Sequence, residues 1–335
     1  MDLRPIERTD WNAALAAFPA RTVFHRLEWL ELVEESTGAS STCPPATATA
    51  ASCRCSRSSA CARARSRRSD RRFRVGRPPT SDPLRRRPTT RWPRSTRRWL
   101  DLLAKASYTE VRVVDHDGST PDLRPLGFEE LLRFETYLLE LGRSDDDMFS
   151  ALTSKCRNVV RKGGKNGYVV REDEGADFVA DFWAMSEEVF GRWGIAPGFD
   201  ERFLHLMVKH LGPAGLIDVR SAWLDDDRAA TIVILQDDLT AYYWAGGSFE
   251  AHRRGAPNNL LLWSCIEAAN RSGRRRFDFV SSSGSAGKFK QSFGPDAVET
   301  ATHWGRSRTK VEGWMKDGYE WFLRRRRRTA AEGEG

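Results

Sequence analysis

The stretch from Tyr242 to Phe293 reads YYWAGGSFEAHRRGAPNNLLLWSCIEAANRSGRRRFDFVSSSGSAGKFKQSF, and it decides the fold. An aromatic strand runs into a glycine pair and a basic turn. Pro257 then suits the first position of a helix, because its missing N–H would have no partner there. The helix ends at Gly273, and Phe277 begins the next strand. This order predicts a βαβ-like unit.

The turn before the predicted helix carries Arg253 and Arg254. The first N–H groups of a helix have no partner within the helix and favour an anion. Two arginines at this position strengthen that preference. The spacing therefore predicts an anion site around Arg253, Arg254 and Gly255, with a structural turn bearing solvated arginines as the alternative.

Three segments carry a resemblance to a known family. HRRGAPNNLLLWSCIEAA followed by RRFDFVSSSGSAGKFKQSFG resembles the second half of Fem-type aminoacyltransferases, which belong with the CelD-like acyltransferases to the GNAT superfamily. SKCRNVVRKGGKNGYVVRE, from Ser154 to Glu172, is similar to the opening of that half. VFHRLEWLELVEESTG, from Val23 to Gly38, is a weaker match near the start.

The resemblance implies an α/β protein of two tandem GNAT-like domains with mixed, mostly antiparallel sheets. The first domain would span residues 1–143 and the second residues 144–310. A helix at 311–325 would pack back on the first domain. The expected length of one domain also favours two in a chain of 335 residues.

The implied reaction is attack of an acceptor amine on an activated acyl group, and two donors fit. An acyl-CoA enzyme needs small residues around its pyrophosphate. Here Pro257 removes one N–H, and Asn258 and Asn259 stand where small residues are usual. This favours aminoacyl-tRNA, with acyl-CoA in a CelD-like N-acetyltransferase of surface polysaccharide synthesis as the alternative. No tightly bound cofactor is expected.

Two residues are candidates for catalysis. By resemblance, Lys290 in GKFKQSFG stabilises the oxyanion or binds a substrate phosphate, since a cation beside the carbonyl opposes its developing charge. A surface lysine is the alternative. Asp278 can receive the amine proton as a general base, or it can pair with a nearby arginine.

The acceptor is expected to be a nucleotide- or lipid-linked precursor of the cell envelope. Arg157 and Arg161 share a face of a predicted basic helix and suit its phosphates, although a solvated face is equally typical. Tyr242 and Tyr243 point to opposite sides of their strand. The family places a tyrosine here in the acceptor channel, and Lys288 completes the predicted set.

Net charge is +8, but its distribution is uneven. Residues 41–99 contain seventeen arginines, no lysine and two acidic residues, so this segment carries +15 and the remainder −7. The segment has no apolar period of 2 or 3.6 and predicts no packed element. A misread reading frame is the favoured explanation; a basic nucleic-acid-binding arm and a disordered linker are the others.

Other function classes find little support in the sequence. The six histidines show no metal-ligand spacing, so no metal is predicted. No run of eighteen apolar residues or apolar leader is present, which favours the cytoplasm. Five consecutive arginines, Arg324–Arg328, can contact anionic lipid or RNA. A non-catalytic basic RNA- or membrane-binding protein is therefore a further alternative.

Overall fold

The structure is a computed structural model that describes residues 7–17, 21–38, 110–115, 123–124, 127–192, 194, 196–280 and 284–307. The anomalous segment at 41–99, the three serines at 281–283, and the predicted helix at 311–325 with Arg324–Arg328 all lie outside these ranges.

An eight-stranded sheet organises the described residues, in the order β1-β8-β2-β7-β6-β5-β4-β3. Strands β6 and β7 pair in parallel. The pairs β8–β2, β2–β7, β6–β5, β5–β4 and β4–β3 are antiparallel. The strands are β1 (Glu110–Asp115), β2 (Glu129–Glu140), β3 (Val169–Glu172), β4 (Ile217–Leu224), β5 (Asp227–Gln236), β6 (Thr240–Ser248), β7 (Arg276–Asp278) and β8 (Asp296–Ser307). The predicted mixed, mostly antiparallel sheet is confirmed.

Eight α-helices accompany the sheet in the described ranges. Their ends follow local chemistry: the Ser144 side chain accepts from the N–H of Asp147, and Gly38 ends its helix with φ +66°. The helices are α1 (Trp11–Leu15), α2 (Leu27–Thr37), α3 (Asp145–Ala151), α4 (Ser154–Lys165), α5 (Val179–Gly191), α6 (Glu201–Leu211), α7 (Pro257–Arg271) and α8 (Gly284–Gln291).

Two hydrophobic cores lie on opposite faces of the sheet. Helices α3, α4 and α7 cover one face, where Ile232, Ile266 and Phe277 are buried. Helices α2, α5 and α6 cover the other face, over Val233 and Tyr242. Successive strand residues point to opposite faces, so each central strand contributes to both cores.

The described residues belong almost entirely to one compact unit, which comprises residues 5–63 and 111–306. Of the other unit, only Glu110 and Ser307 fall in the described ranges. Strand β2, from the predicted first domain, is hydrogen-bonded to β7 and β8 of the predicted second domain. The boundary at 143/144 and the tandem arrangement remain predictions.

The βαβ unit forms as predicted: β6, α7 and β7 follow one another, and β6 pairs with β7 in parallel. Two features were not predicted. The GKFKQ segment is a helix, α8, despite its two glycines, and Phe289 packs against the first core. Strand β6 continues to Ser248 through Gly246 and Gly247, because its pairing with β5 continues there.

Candidate active site

Strands β6 and β7 part at the centre of the sheet. Their ladder pairs Thr240 with Arg276 and ends where Tyr242 pairs with Asp278. Strand β7 stops there, whereas β6 stays paired with β5 as far as Ser248. A register shift in the β5–β6 ladder leaves Trp244 as an extra residue on β6. An opening between two parallel strands therefore begins beside Tyr243.

The amine of Lys290 lies at this opening. Its Nζ donates a 2.7 Å hydrogen bond to the carbonyl of Phe279 and stands 5.0 Å from the centre of the Tyr243 ring. The residue is 7% exposed. An ammonium has three donors, and the Phe279 carbonyl is the one hydrogen-bond acceptor recorded among the described residues. Two donors thus remain for a ligand.

Burial controls the charge of this lysine. Removal from water lowers the pKa of Lys290 to about 8, while the negative charge of Asp278 opposes that change. At neutral pH the amine is still mostly protonated and can stabilise an oxyanion. A pKa near 8 also makes it a ready proton donor for a leaving group.

Tyr243 forms one wall of the opening. Its ring lies under Lys290, and its hydroxyl occupies the space that a Cβ on Gly246 would need, 2.3 Å away. Glycine at 246 is thus required for this side chain position. Burial raises the pKa of Tyr243, so the hydroxyl stays neutral.

Asp278 is held on the opposite side of β7 from its neighbours Phe277 and Phe279, which lie in the first core. Its Oδ1 accepts from Thr136 Oγ1 at 2.6 Å and from the N–H of Val280 at 2.6 Å. Burial raises the pKa of the Asp278 carboxyl, and the Thr136 hydrogen bond counteracts this increase. No arginine pairs with it among the described residues.

The backbone is strained beside this carboxylate. Val280 has φ +64°, a left-handed conformation that is unfavourable for a β-branched residue. Such strain costs on the order of 1–3 kcal/mol and is concentrated at functional sites in proteins. The N–H of this same residue donates to Asp278.

The anion site predicted at the start of α7 has an unusual shape. Ala256 precedes Pro257 with φ +67°, and it makes no side-chain cap. The carbonyls of Arg254 and Gly255 accept from the Lys162 and Asn166 side chains. No acceptor for the N–H groups of Asn258 and Asn259 is found in the described part of the chain.

Some side chains around the start of α7 are bound to other residues of the protein, and others are not. Arg253 is bound to Glu250 at 2.6 Å, whereas Arg254 is exposed and has no ion-pair partner within the described ranges. Asn258 donates to Ser248 Oγ at 2.9 Å, and Asn259 contacts Cys156 Sγ at 3.7 Å. Arg254 and two backbone N–H groups therefore remain for an anion.

Only glycine fits at position 255. A Cβ there would meet the Tyr168 hydroxyl at 2.3 Å, and that hydroxyl lies 3.2 Å from Nδ1 of His252. The tight packing of Tyr168 under the turn sets the position of the arginines that follow His252. Tyr168, Lys162 and Asn166 were not predicted as part of this site.

The remaining predicted residues lie apart from the opening or are engaged elsewhere. Arg157 donates to the carbonyls of Ser150, at 2.6 Å, and Leu152. Arg161 lies over the Phe149 ring at 5.1 Å, and Lys288 is exposed on α8. Their acceptor-binding role remains a prediction.

Tyr242 faces the second core, where its hydroxyl donates to Asp237 at 3.1 Å. Burial and the charge of Asp237 raise its pKa well above the usual value. The prediction that Tyr242 and Tyr243 point to opposite sides is confirmed by their membership of the two cores. Of the two, Tyr243 is the one at the opening.

Thr136 is the main residue of this site that sequence reasoning missed. It lies on β2, 142 positions before Asp278 in the chain, and is 2% exposed. A lone threonine in an apolar strand gives no periodic signal, so only the pairing of β2 with β7 reveals its role.

Comparison with known proteins agrees with this geometry. Residues 150–291 match the family model described as an acetyltransferase (GNAT) domain. This segment contains β6, α7, β7 and the opening between the parallel strands. Residues 150–291 form a GNAT acyltransferase domain. The protein is thus an acyltransferase, and the non-catalytic alternative is not retained.

Solved structures align with about two thirds of the chain. FemX aligns with a TM-score of 0.55 at 13% identity, over 64% of this chain and 76% of FemX, which is a likeness of fold. A conserved Bacteroides thetaiotaomicron protein of unknown function gives 0.48 at 14% identity, over 63% and 73%. A tandem GNAT protein of the clavulanic acid pathway gives 0.41 at 15%, over 67% and 72%. No curated protein sequence matches the chain.

Within the described ranges, no three or more His, Cys, Asp or Glu side chains are grouped as metal ligands. In those ranges, too, no helix combines the length and hydropathy needed to cross a bilayer.

Proposed function

We propose that this acyltransferase joins an aminoacyl group, delivered by aminoacyl-tRNA, to the amine of a nucleotide- or lipid-linked precursor of the cell envelope. The observation that carries the proposal is the Lys290 ammonium, buried where β6 and β7 part and hydrogen-bonded to the Phe279 carbonyl. Its two remaining donors suit the carbonyl oxygen of a bound acyl group.

The reaction follows from these side chains. The acceptor amine attacks the acyl carbonyl, and Lys290 stabilises the oxyanion as negative charge develops. Asp278 receives one proton from the amine nitrogen. Collapse of the intermediate forms the amide bond and breaks the bond to the leaving oxygen, which takes up one proton. The rest of the rate enhancement comes from holding the amine and the acyl carbonyl next to each other in a reactive orientation.

The form of the anion site favours a nucleic acid donor. Pro257 lacks an N–H, and the side chains of Asn258 and Asn259 are used inside the protein, so two N–H groups face a ligand. Exposed Lys162 and Arg254 extend positive charge around them. A small phosphate site within a basic surface suits a polyanionic backbone.

Distance along β6 sets a requirement for either donor. The opening begins beside Tyr243, whereas Asn258 at the start of α7 is bonded to Ser248, further along the same strand, so the carbonyl and anion positions are separated along β6. A donor must bind phosphate at one end and reach the opening with the other. A cytoplasmic location, with membrane contact through Arg324–Arg328, remains part of the proposal.

Acyl-CoA is the second candidate donor. The match of residues 150–291 to an acetyltransferase model favours it, because GNAT acetyltransferases take their acyl group from acyl-CoA. The enzyme would then be an N-acetyltransferase acting in surface polysaccharide synthesis. The same Lys290 and Asp278 would act, with sulfur in place of oxygen as the leaving atom.

Donor binding distinguishes the two candidates. Full-length protein is titrated with acetyl-CoA, with a charged tRNA mixture and with the same tRNA uncharged, at several salt concentrations. Arg254→Ala is the test variant. Arg253→Ala is its matched control, because Arg253 is already paired with Glu250.

We expect charged tRNA to bind more tightly than uncharged tRNA, and Arg254→Ala to weaken this binding more than Arg253→Ala does. Saturable binding of acetyl-CoA, lost in Arg254→Ala, would replace the proposed donor with acyl-CoA. Equal binding of all RNA with a steep salt dependence would contradict a specific donor site.

A further inference from the structure

Thr136 is a buried polar side chain that the proposed reaction does not yet use. It is 2% exposed, and its hydroxyl donates to Asp278 at 2.6 Å. In the ladder between β2 and β7, Leu138 lies opposite Asp278, so Thr136 is the diagonal neighbour on the same face. The contact thus crosses between strands rather than closing a local turn.

The two oxygens of Asp278 differ. Oδ1 accepts from both Thr136 Oγ1 and the N–H of Val280, each at 2.6 Å. For Oδ2, no donor is recorded among the described residues. A carboxylate with one oxygen fixed by two donors cannot rotate freely, and it presents the other oxygen in a defined direction.

We propose that Thr136 is a positioning residue that, together with the N–H of Val280, orients Asp278 so that its Oδ2 receives the proton of the acceptor amine. This inference rests on the proposed function, in which Asp278 is the proton acceptor. The amine nitrogen loses one proton to Asp278 and forms a C–N bond with the acyl carbon, the bond from that carbon to the leaving oxygen breaks, and the oxygen gains one proton. No further reactant is needed.

The hydrogen bond also affects when Asp278 can accept a proton. Thr136 donates to the charged carboxylate and so favours ionisation, against the effect of burial. Among the described residues, Lys290 from α8 and Tyr242 from β6 are the titratable groups that interact with it. Neither forms a direct ion pair with it.

The test reads the ionisation of Asp278 itself. Full-length protein labelled with [γ-¹³C]aspartate is titrated by NMR, and Asp278→Asn identifies the resonance. Thr136→Val removes the donor at nearly constant volume, and Thr136→Ser keeps it. Thr136→Ala is a second donorless variant in case valine prevents folding.

We expect the titration midpoint of Asp278 to move up by about one pH unit or more in Thr136→Val and Thr136→Ala, and to stay near wild type in Thr136→Ser. An unchanged midpoint in the donorless variants would overturn the positioning role. A serine variant that titrates like valine would overturn it as well.

The activity of Asp278→Asn shows whether the positioning role of Thr136 or the proposed role of Asp278 as proton acceptor has failed. If Asp278→Asn abolishes amide formation while Thr136→Val titrates like wild type, the proton acceptor stands and the positioning role fails. If Asp278→Asn retains full activity, Asp278 is not the acceptor, whatever Thr136 does to its titration.

Discussion

Gly163 of α4 lies so close to Leu260 of α7 that a Cβ on the glycine would stand 3.0 Å from the Leu260 Cβ. The same Cβ would lie 3.0 Å from the carbonyl oxygen of Ala256. For Gly163 the close approach is to α7, so the glycine fixes how α4 supports the anion site.

Alanine should have opposite effects at Gly163 and at its neighbour Gly164, where an added Cβ would have no atom within 4 Å. We expect Gly164→Ala to stabilise the protein by up to about 1 kcal/mol, because alanine favours a helix interior over glycine. Gly163→Ala should be destabilising and weaken donor binding, since α7 must shift. Urea unfolding of both variants checks this; equal effects would contradict the packing role.

The buried Lys290 makes stability depend on pH. Its pKa falls from the usual 10.5 to about 8 on folding, so between these values the unfolded chain binds more protons. The free energy of unfolding should therefore rise as pH increases from about 8 to about 10.5. At 1.36 kcal/mol per pKa unit, the full gain is about 3 kcal/mol.

Lys290→Met isolates this contribution, because other groups titrate equally in both proteins. We expect the stability of wild type relative to Lys290→Met to increase by about 2–3 kcal/mol from pH 7.5 to 10. Urea unfolding at each pH provides the measurement. A difference that does not vary with pH would mean that the folded-state pKa is close to normal. The variant should also lose amide formation.

The two adjacent tyrosines should respond differently to the loss of a hydroxyl. Tyr242→Phe removes the hydrogen bond to Asp237 inside the second core and should cost about 1 kcal/mol of stability. Tyr243→Phe leaves the packing intact and should affect acyl transfer rather than stability. Thermal unfolding and an amide-formation assay on both variants test this; reversed effects would place Tyr242, not Tyr243, at the substrate.

Arg157 should act in stability more than in acceptor binding. Its guanidinium donates to the carbonyls of Ser150 and Leu152, at the end of α3. Arg157→Ala leaves these carbonyls without that donor, and we expect a loss of about 1 kcal/mol or more. Lys155→Ala, exposed on the same helix, is the control. Weaker acceptor binding at unchanged stability would instead support the sequence-based role.

Local sequence signals predicted several of the helices and strands. The proline at the start of α7, the aromatic residues of β6 and the strand signal at Phe277 predicted a helix and two strands that the structure contains. These signals depend on a few neighbouring residues, which is why one sequence reveals them. The helix α8 escaped because glycines and lysines obscure its apolar side.

The sequence by itself determined the βαβ unit and a GNAT-like segment, and it predicted Lys290 and Asp278 as candidates for catalysis. Only the tertiary structure decided what surrounds them. Strand β2 brings Thr136 to Asp278, the end of the β6–β7 ladder gives Lys290 its buried position, and Tyr168 requires glycine at 255. Contacts between residues far apart in the chain leave no periodic trace in it, so folding alone brings these groups together.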